Sequence, residues 1–301
     1  MLLANQALAI KKKKIKCAGG AKHKVHLTFD DGPKIPETLK ILDSLKKFKP
    51  SVKATFFITT THFDFVMKKE PSQYSRSEKA KIAVLEIMKQ EGHTFGSHSH
   101  VHLDHAGGQQ NSRREINQNL ERNNAIWKKL KLPKPAPFRF PYGAGWFKNQ
   151  SSRTEKERLI SLKAIKENGF VPLHWDIDSW DWSKYKRKAL PDSVLQQICT
   201  HKGGVALFHD IQSSTAENIG LIMESIKASG HELVSYNEIK TVSDRRDGGL
   251  LSFGDSAASL FYCNKKVSAI DQAWETCEDL NQNSYDYGGS RAIQSTDKDG
   301  K

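Results

Sequence analysis

The sequence predicts an α/β protein built on a parallel sheet, either closed into a barrel or doubly wound. From Lys24 onward, short apolar runs alternate with stretches whose apolar residues recur at helical spacing. This alternation gives about seven strands, each followed by a helix or a long loop. In addition, no Gly-rich turn follows the first strand, which excludes a dinucleotide-binding Rossmann unit. Barrel enzymes place their chemistry at the C-terminal ends of strands, so the strand exits are where functional side chains are expected.

The elements follow in order. Val25 to Asp30 reads as a buried strand, and Pro36 to Phe48 as a helix with Leu39, Leu42 and Leu45 on one face. Lys53 to Ile58 is a strand, and Ser77 to Glu91 a helix (Ile82, Leu85, Met88) closed by Gly92. His93 to Ser97 is a short strand, Ser112 to Leu130 a long helix, and Phe138 to Phe140 a strand fragment after a Pro-rich turn. Glu155 to Asn168 is a helix stopped by Gly169, and Phe170 to Asp176 one strand. Ser193 to His201, Gly204 to Phe208, Ala216 to Ser229 and His231 to Ser235 complete the series as helix, strand, helix and strand.

Composition narrows the class. Hydrophobic residues at 37% and charged residues at 27% place the 301-residue chain among folded proteins of one large or two small domains. No apolar run approaches the roughly 20 residues of a membrane span. Four cysteines with no C-x-x-C pair exclude a zinc ribbon and are too few for a disulfide scaffold. The net charge of +13 suits an anionic partner: nucleic acid, a cell-wall polymer or lipid head groups. Much of it lies in runs (Lys11 to Lys14, Lys16, Lys184, Lys186, Arg187, Lys188) that serve equally as solvated faces. No nucleic-acid motif accompanies the charge, and no nucleic-acid partner is expected.

Five strand exits are polar. The first reads Thr28-Phe29-Asp30-Asp31-Gly32-Pro33. Neighbouring side chains of an extended strand face opposite ways, so two acids aimed at one site require the kink that Gly32 and Pro33 can supply. The third strand runs into His98-Ser99-His100-Val101-His102, where His98 and His102 share one face of a helical turn and can grip one cation. Arg139-Phe140-Pro141-Tyr142, Asp178-Ser179-Trp180-Asp181-Trp182 and Leu207-Phe208-His209-Asp210 follow. Each alone has a structural explanation as turn, cap or salt bridge. Together they point to one site.

In this order the five segments resemble the motifs of the polysaccharide deacetylases, the NodB-homology domain of carbohydrate esterase family 4, over about residues 24 to 240. The resemblance implies a distorted (β/α)7 barrel with a short C-terminal extension. It implies one divalent metal ion (zinc first, with cobalt or nickel also suited) held by Asp31, His98 and His102, a three-ligand set with an open position. It implies Asp30 as general base, oriented by Arg139, and His209 as general acid, held by Asp178. The Tyr142 backbone amide would serve an oxyanion hole, and Trp182 and Leu207 would wall the acetyl pocket. His100 is a rival ligand of poorer geometry. His23, His26, His93 and His105 have no motif position and are expected to be structural or exposed.

The activity implied is removal of N-acetyl groups from an N-acetylglucosamine polymer, peptidoglycan before chitin-like oligomers, by a monomer without a transmembrane segment. An O-acetyl esterase and a non-catalytic glycan-binding protein of the same fold are the alternatives. Three regions are expected: residues 1–22 as an N-terminal arm, 23–243 as the deacetylase domain and 244–301 as an extension packed on the barrel with a disordered tail. In the arm, Ala7-Leu8-Ala9 has the form of a secretory cleavage site, though the apolar part before it is short and no positive residues precede it. A signal remnant, hence export to the periplasm, cell wall or medium, and an ordinary arm both fit. In the extension, Cys263 and Cys277 suit either a disulfide or two free thiols.

Overall fold

The computed structural model describes residues 14–103, 113–143, 155–183 and 190–239. Eight strands form one sheet: β1 (Lys24–Asp30), β2 (Thr55–Ile58), β3 (Thr94–Ser97), β4 (Pro137–Phe138), β5 (Val171–Pro172), β6 (Ile177–Asp178), β7 (Gly204–His209) and β8 (Glu232–Leu233). Six helices alternate with them: α1 (Glu37–Lys47), α2 (Arg76–Gln90), α3 (Arg113–Leu130), α4 (Glu155–Glu167), α5 (Leu190–His201) and α6 (Ser213–Ala228). Every strand pairing is parallel, in the order β5-β4-β3-β2-β1-β7-β6, with β8 against the start of β1. This is the distorted (β/α)7 barrel, with β8 as a short supplement.

β1 is the axis of the sheet. Val25, Leu27 and Phe29 pack into the core shared with Ile41, Leu42 and Leu45 of α1 and Ile219, Ile222 and Ile226 of α6. The alternate positions His26, Thr28 and Asp30 are buried and polar, as the two-residue period of a strand requires. They face a second core that contains Phe57, Phe138, Phe140 and Val205. His26 and His93 are buried structural residues, as expected. His26 bonds the Val234 carbonyl and Thr55 Oγ1 at 2.9 and 2.8 Å.

The structure corrects several readings. The buried face of α1 is Thr38, Ile41, Leu42 and Leu45, with Leu39 outside it. Helix α2 begins one cap earlier than the apolar pattern suggests: Ser75 accepts the Glu78 N–H while Glu78 accepts the Ser75 N–H, a reciprocal capping box. A 3-10 helix, Thr60–Met67, fills a loop in which the sequence shows no signature.

The strand expected at Phe170 to Asp176 is two strands on opposite edges of the sheet. Leu173 N–H donates to the Phe138 carbonyl at 2.8 Å, and Asp176 N–H to the Val205 carbonyl at 2.9 Å. Residues 173–176 thus cross from β4 to β7, and among the described residues no ladder joins β5 to β6. The physical reason is Arg139, whose guanidinium takes the carbonyls of Leu173 and His174 that a continued ladder would use.

Among the described residues a disulfide joins Cys17 to Cys199, across 182 positions. Cys263, Cys277 and the rest of the extension lie outside the described residues, as do His105 and the first 13 residues. No helix among the described residues is long and apolar enough to cross a membrane.

Candidate active site

Because the strands are parallel, their C-terminal ends share one rim. The register sets Asp30 beside His209 on one side and Phe57 on the other, then Ile58 beside Ser97 and Ser97 beside Phe138. Asp30, His98, Arg139 and His209 are therefore brought to one place by ladder register, before any loop is considered. Backbone strain concentrates here too. Of the seven non-glycine residues with positive φ among the described residues, five are Asp31, Ser99, His102, Tyr142 and Trp180. Such conformations cost of order 1 kcal/mol or more each and cluster at functional sites.

The two adjacent acids differ in backbone conformation. Asp30 ends the extended strand, whereas Asp31 has φ 78°, which swings its side chain to the same rim. The Asp31 carbonyl accepts from His62 Nε2 at 2.9 Å, pinning the kink. Gly32 is required by its neighbour: a Cβ there would collide with the buried Asp210 carboxyl. Burial and the nearby Asp31 and Asp30 push that carboxyl up to about 7 against the Thr38 hydroxyl, which donates to it at 2.7 Å.

Asp31, His98 and His102 converge. Asp31 Oδ1 lies 3.4 Å from His98 Nε2 and 3.3 Å from His102 Nε2. His98 Nδ1 donates to the Arg139 carbonyl at 2.9 Å, which turns its Nε2 toward the carboxylate. Asp31 Oδ1 is buried without a hydrogen-bond donor. Burial raises the Asp31 pKa, but His102 and His98 outweigh it and hold the carboxyl well below its usual range. A buried carboxylate oxygen and imidazole nitrogens within 4.8 Å of one another fit a divalent cation. His100 is turned away: its Nδ1 meets Thr60 Oγ1 at 3.2 Å and its N–H donates to Asn119 Oδ1 at 2.9 Å. It braces the loop rather than competing for the cation.

Asp30 lies under Arg139. The guanidinium, fully buried, donates to Asp30 Oδ1 at 2.8 Å, Thr28 Oγ1 at 2.7 Å, the Leu173 carbonyl at 3.1 Å and the His174 carbonyl at 3.0 Å. It also stacks over the Phe57 ring, 4.1 Å from the centroid. Arg139 keeps its charge at every working pH, and Asp30 Oδ2 is left facing His98 Nε2 at 3.8 Å.

The orientation of His209 requires a correction. Its Nδ1 donates to Asp181 Oδ1 at 2.7 Å, and its backbone N–H and the Thr215 hydroxyl both donate to Asp181 Oδ2, at 2.7 and 2.6 Å. The residue that holds His209 is thus Asp181, not Asp178. Asp178 instead accepts the Trp180 N–H at 2.8 Å, and the left-handed Trp180 (φ 57°) turns the chain so that the second acid reaches the histidine. Burial opposes protonation of His209, but Asp181, with Asp31 and Asp30 beyond it, lifts its pKa to about 10. Burial likewise raises Asp178 to about 6, against the Trp180 N–H.

Leu207, two positions before His209 on β7, shares its strand face and is buried. Tyr142 is exposed, with its ring edge-on to His102 at 4.5 Å. Trp182 is 45% exposed, 5.4 Å from the Trp180 ring. These two aromatics stand at the rim in contact with water, where a ligand could reach them.

The profile of the polysaccharide deacetylase family matches residues 18–159. A peptidoglycan-N-acetylglucosamine deacetylase of Bacillus cereus is 31% identical over 229 residues, 73% of this chain and 71% of that protein. The chain belongs to the polysaccharide deacetylase family. It is also 29% identical over 217 residues to the peptidoglycan-N-acetylglucosamine deacetylase PgdA of Listeria monocytogenes, of whose length it spans 38%. In fold it is similar to the catalytic domain of a peptidoglycan N-acetylglucosamine deacetylase from Eubacterium rectale (TM-score 0.55, 24% identity, 74% of this chain and 92% of that one). The family's distorted barrel is thus the frame that sets the five polar strand exits on one rim.

Proposed function

We propose that this chain is a metal-dependent hydrolase that removes N-acetyl groups from N-acetylglucosamine residues of a cell-wall polysaccharide and releases acetate. Peptidoglycan is the substrate assigned first, chitin-like oligomers next. The observation that carries the reading is the pairing of two fixed groups around one candidate cation site: Asp30 under Arg139 and His209 against Asp181, on either side of the Asp31, His98 and His102 cluster. The names of the relatives support the substrate class, and the net charge of +13 suits an anionic wall polymer. The location is accordingly outside the cytoplasmic membrane, and the working unit is residues 23–243 as a monomer.

Asp31, His98 and His102 would hold the ion, which we assign as zinc. When bound it would supply Lewis-acid polarisation of the amide carbonyl. The protein's own residues do the rest. Asp30, oriented by the Arg139 hydrogen bond to its Oδ1, accepts the proton of the attacking water at Oδ2. His209, kept protonated by Asp181, delivers a proton from Nε2 to the departing amine, which otherwise leaves poorly. The Tyr142 backbone amide would meet the developing oxyanion, typically worth about 3 kcal/mol. Leu207 and Trp182 wall the space for the acetyl methyl.

The test is acetate release from N-acetylglucosamine oligomers and from purified peptidoglycan, by metal-stripped protein with and without added zinc, beside Asp30→Ala. Zinc-dependent release that the variant lacks is expected. No release from either substrate by protein that binds zinc would overturn the reading.

A further inference from the structure

At the end of the barrel opposite the rim, a second group of reactive side chains takes no part in this chemistry. Cys17, in the arm before β1, is bonded to Cys199 in the last turn of α5. His231, between α6 and β8, places Nε2 3.6 Å from Cys17 Sγ. The backbone N–H of His23 points at His231 Nδ1 at 3.3 Å, and the His23 ring stacks on the His231 ring at 5.5 Å. An Nδ1 that accepts leaves the ring proton on Nε2, aimed at the sulfur. Burial and the neighbouring His23 lower the His231 pKa, which favours the neutral ring that this geometry describes. The two cysteines differ in exposure: Cys17 is buried, at 7%, and Cys199 is half-buried.

We propose that this disulfide is a thiol-exchange site, at which a small external thiol modifies Cys199 and Cys17 is the leaving group held by His231. The entering thiolate forms a bond to Cys199 Sγ. The S–S bond to Cys17 breaks, and its electron pair goes to Cys17 Sγ as a thiolate that accepts the His231 Nε2–H and later takes a proton from water. The products are a mixed disulfide on Cys199 and a free Cys17, with no net oxidant or reductant consumed. Exchange is fastest when the departing thiolate is stabilised and the attacked sulfur is reachable, and both conditions select the same direction here. Release also removes one tie of the arm, which the Ile15 N–H to Ser229 Oγ hydrogen bond at 3.0 Å and the packing of Ile15 on the core also hold.

The experiment uses the full chain, folded, with excess free cysteine as the thiol, followed by acid quenching and peptide mapping by mass spectrometry. The cysteine adduct is expected on Cys199 over Cys17 by about tenfold or more. His231→Gln, which keeps an amide N–H near the sulfur, should retain the rate, and His231→Leu should slow exchange about tenfold. An adduct on Cys17, an even split, no adduct on the folded chain, or equal rates for wild type and a folded His231→Leu would each overturn the proposal. If His231→Leu fails to fold, the position of the adduct in the wild-type chain decides alone.

Discussion

The two sides of the rim use the same pairing, a carboxylate against a cation, to opposite ends. On the β1–β4 side, Arg139 holds Asp30; on the β6–β7 side, Asp181 holds His209. In the first pair the cation cannot lose its proton, so the charge beside Asp30 is fixed. In the second the cation can, and the carboxylate sets when it does: His209 is lifted to about 10. One side is a fixed charge and the other a titrating one. The two pairs are therefore distinguished by whether the cation can change its protonation state, rather than by the pairing itself.

Breaking the fixed side should have the largest effect. Arg139→Leu leaves Asp30 buried without its partner and frees the carbonyls of Leu173 and His174; about 3–5 kcal/mol of unfolding free energy should be lost in urea titrations. Arg139→Lys should recover only part, because a single ammonium cannot replace a planar fork. Equal stability of Arg139→Leu and wild type would refute the fixed side.

The titrating side should respond in rate and in pH. Asp181→Asn should lower kcat/KM on an acetylated oligomer by about a hundredfold or more. Without the carboxylate the His209 pKa falls, so the alkaline limb of the pH–rate profile moves to lower pH. The sign for stability agrees. A histidine whose folded pKa is raised above about 6.5 contributes its stability in full below that value and loses it as pH climbs through about 10. The melting-temperature gap between wild type and Asp181→Asn should therefore close between those limits. A gap that widens with pH would reverse the assignment.

The smallest expected effect separates the two acids of one motif. Asp178→Asn keeps an acceptor for the Trp180 N–H and leaves Asp181 on His209. Its kcat/KM should stay within about fivefold of wild type, the worth of about 1 kcal/mol. A loss matching that of Asp181→Asn would make Asp178 a partner in holding the histidine.

Much of the site could be read from the chain because ladder register, which follows from parallel strands, carries Asp30, His98, Arg139 and His209 to one rim. The kink that two adjacent acids demand is there at Asp31. What could not be read depends on backbone conformations that residue identity does not announce. In Asp178-Ser179-Trp180-Asp181-Trp182 both acids are plausible partners for His209, and the choice is made by a tryptophan in a conformation that favours glycine. The split of residues 170–178 into two strands depends on where Arg139 sends its donors, a contact about 35 positions away. Cys17 and Cys199 stand 182 positions apart, so spacing says nothing of their bond. Leu39 has the period of a core residue yet sits at the edge of the α1 stripe, 37% exposed.

Where residues 173–176 cross the gap between β4 and β7, the Arg139 side chain ties down what backbone pairing leaves open, with Asp176 Oδ2 on the Val205 N–H at the far end. Arg139 is in effect the seam of the barrel: it stitches the crossing segment to β1 through Thr28 and Asp30 with the same planar group that orients the Asp30 carboxyl. Tuning the reactivity of Asp30 and keeping the barrel shut are thus a single problem at this position. A designer testing the proposed specificity would leave the seam alone and vary Tyr142 and Trp182, whose side chains are exposed at the rim.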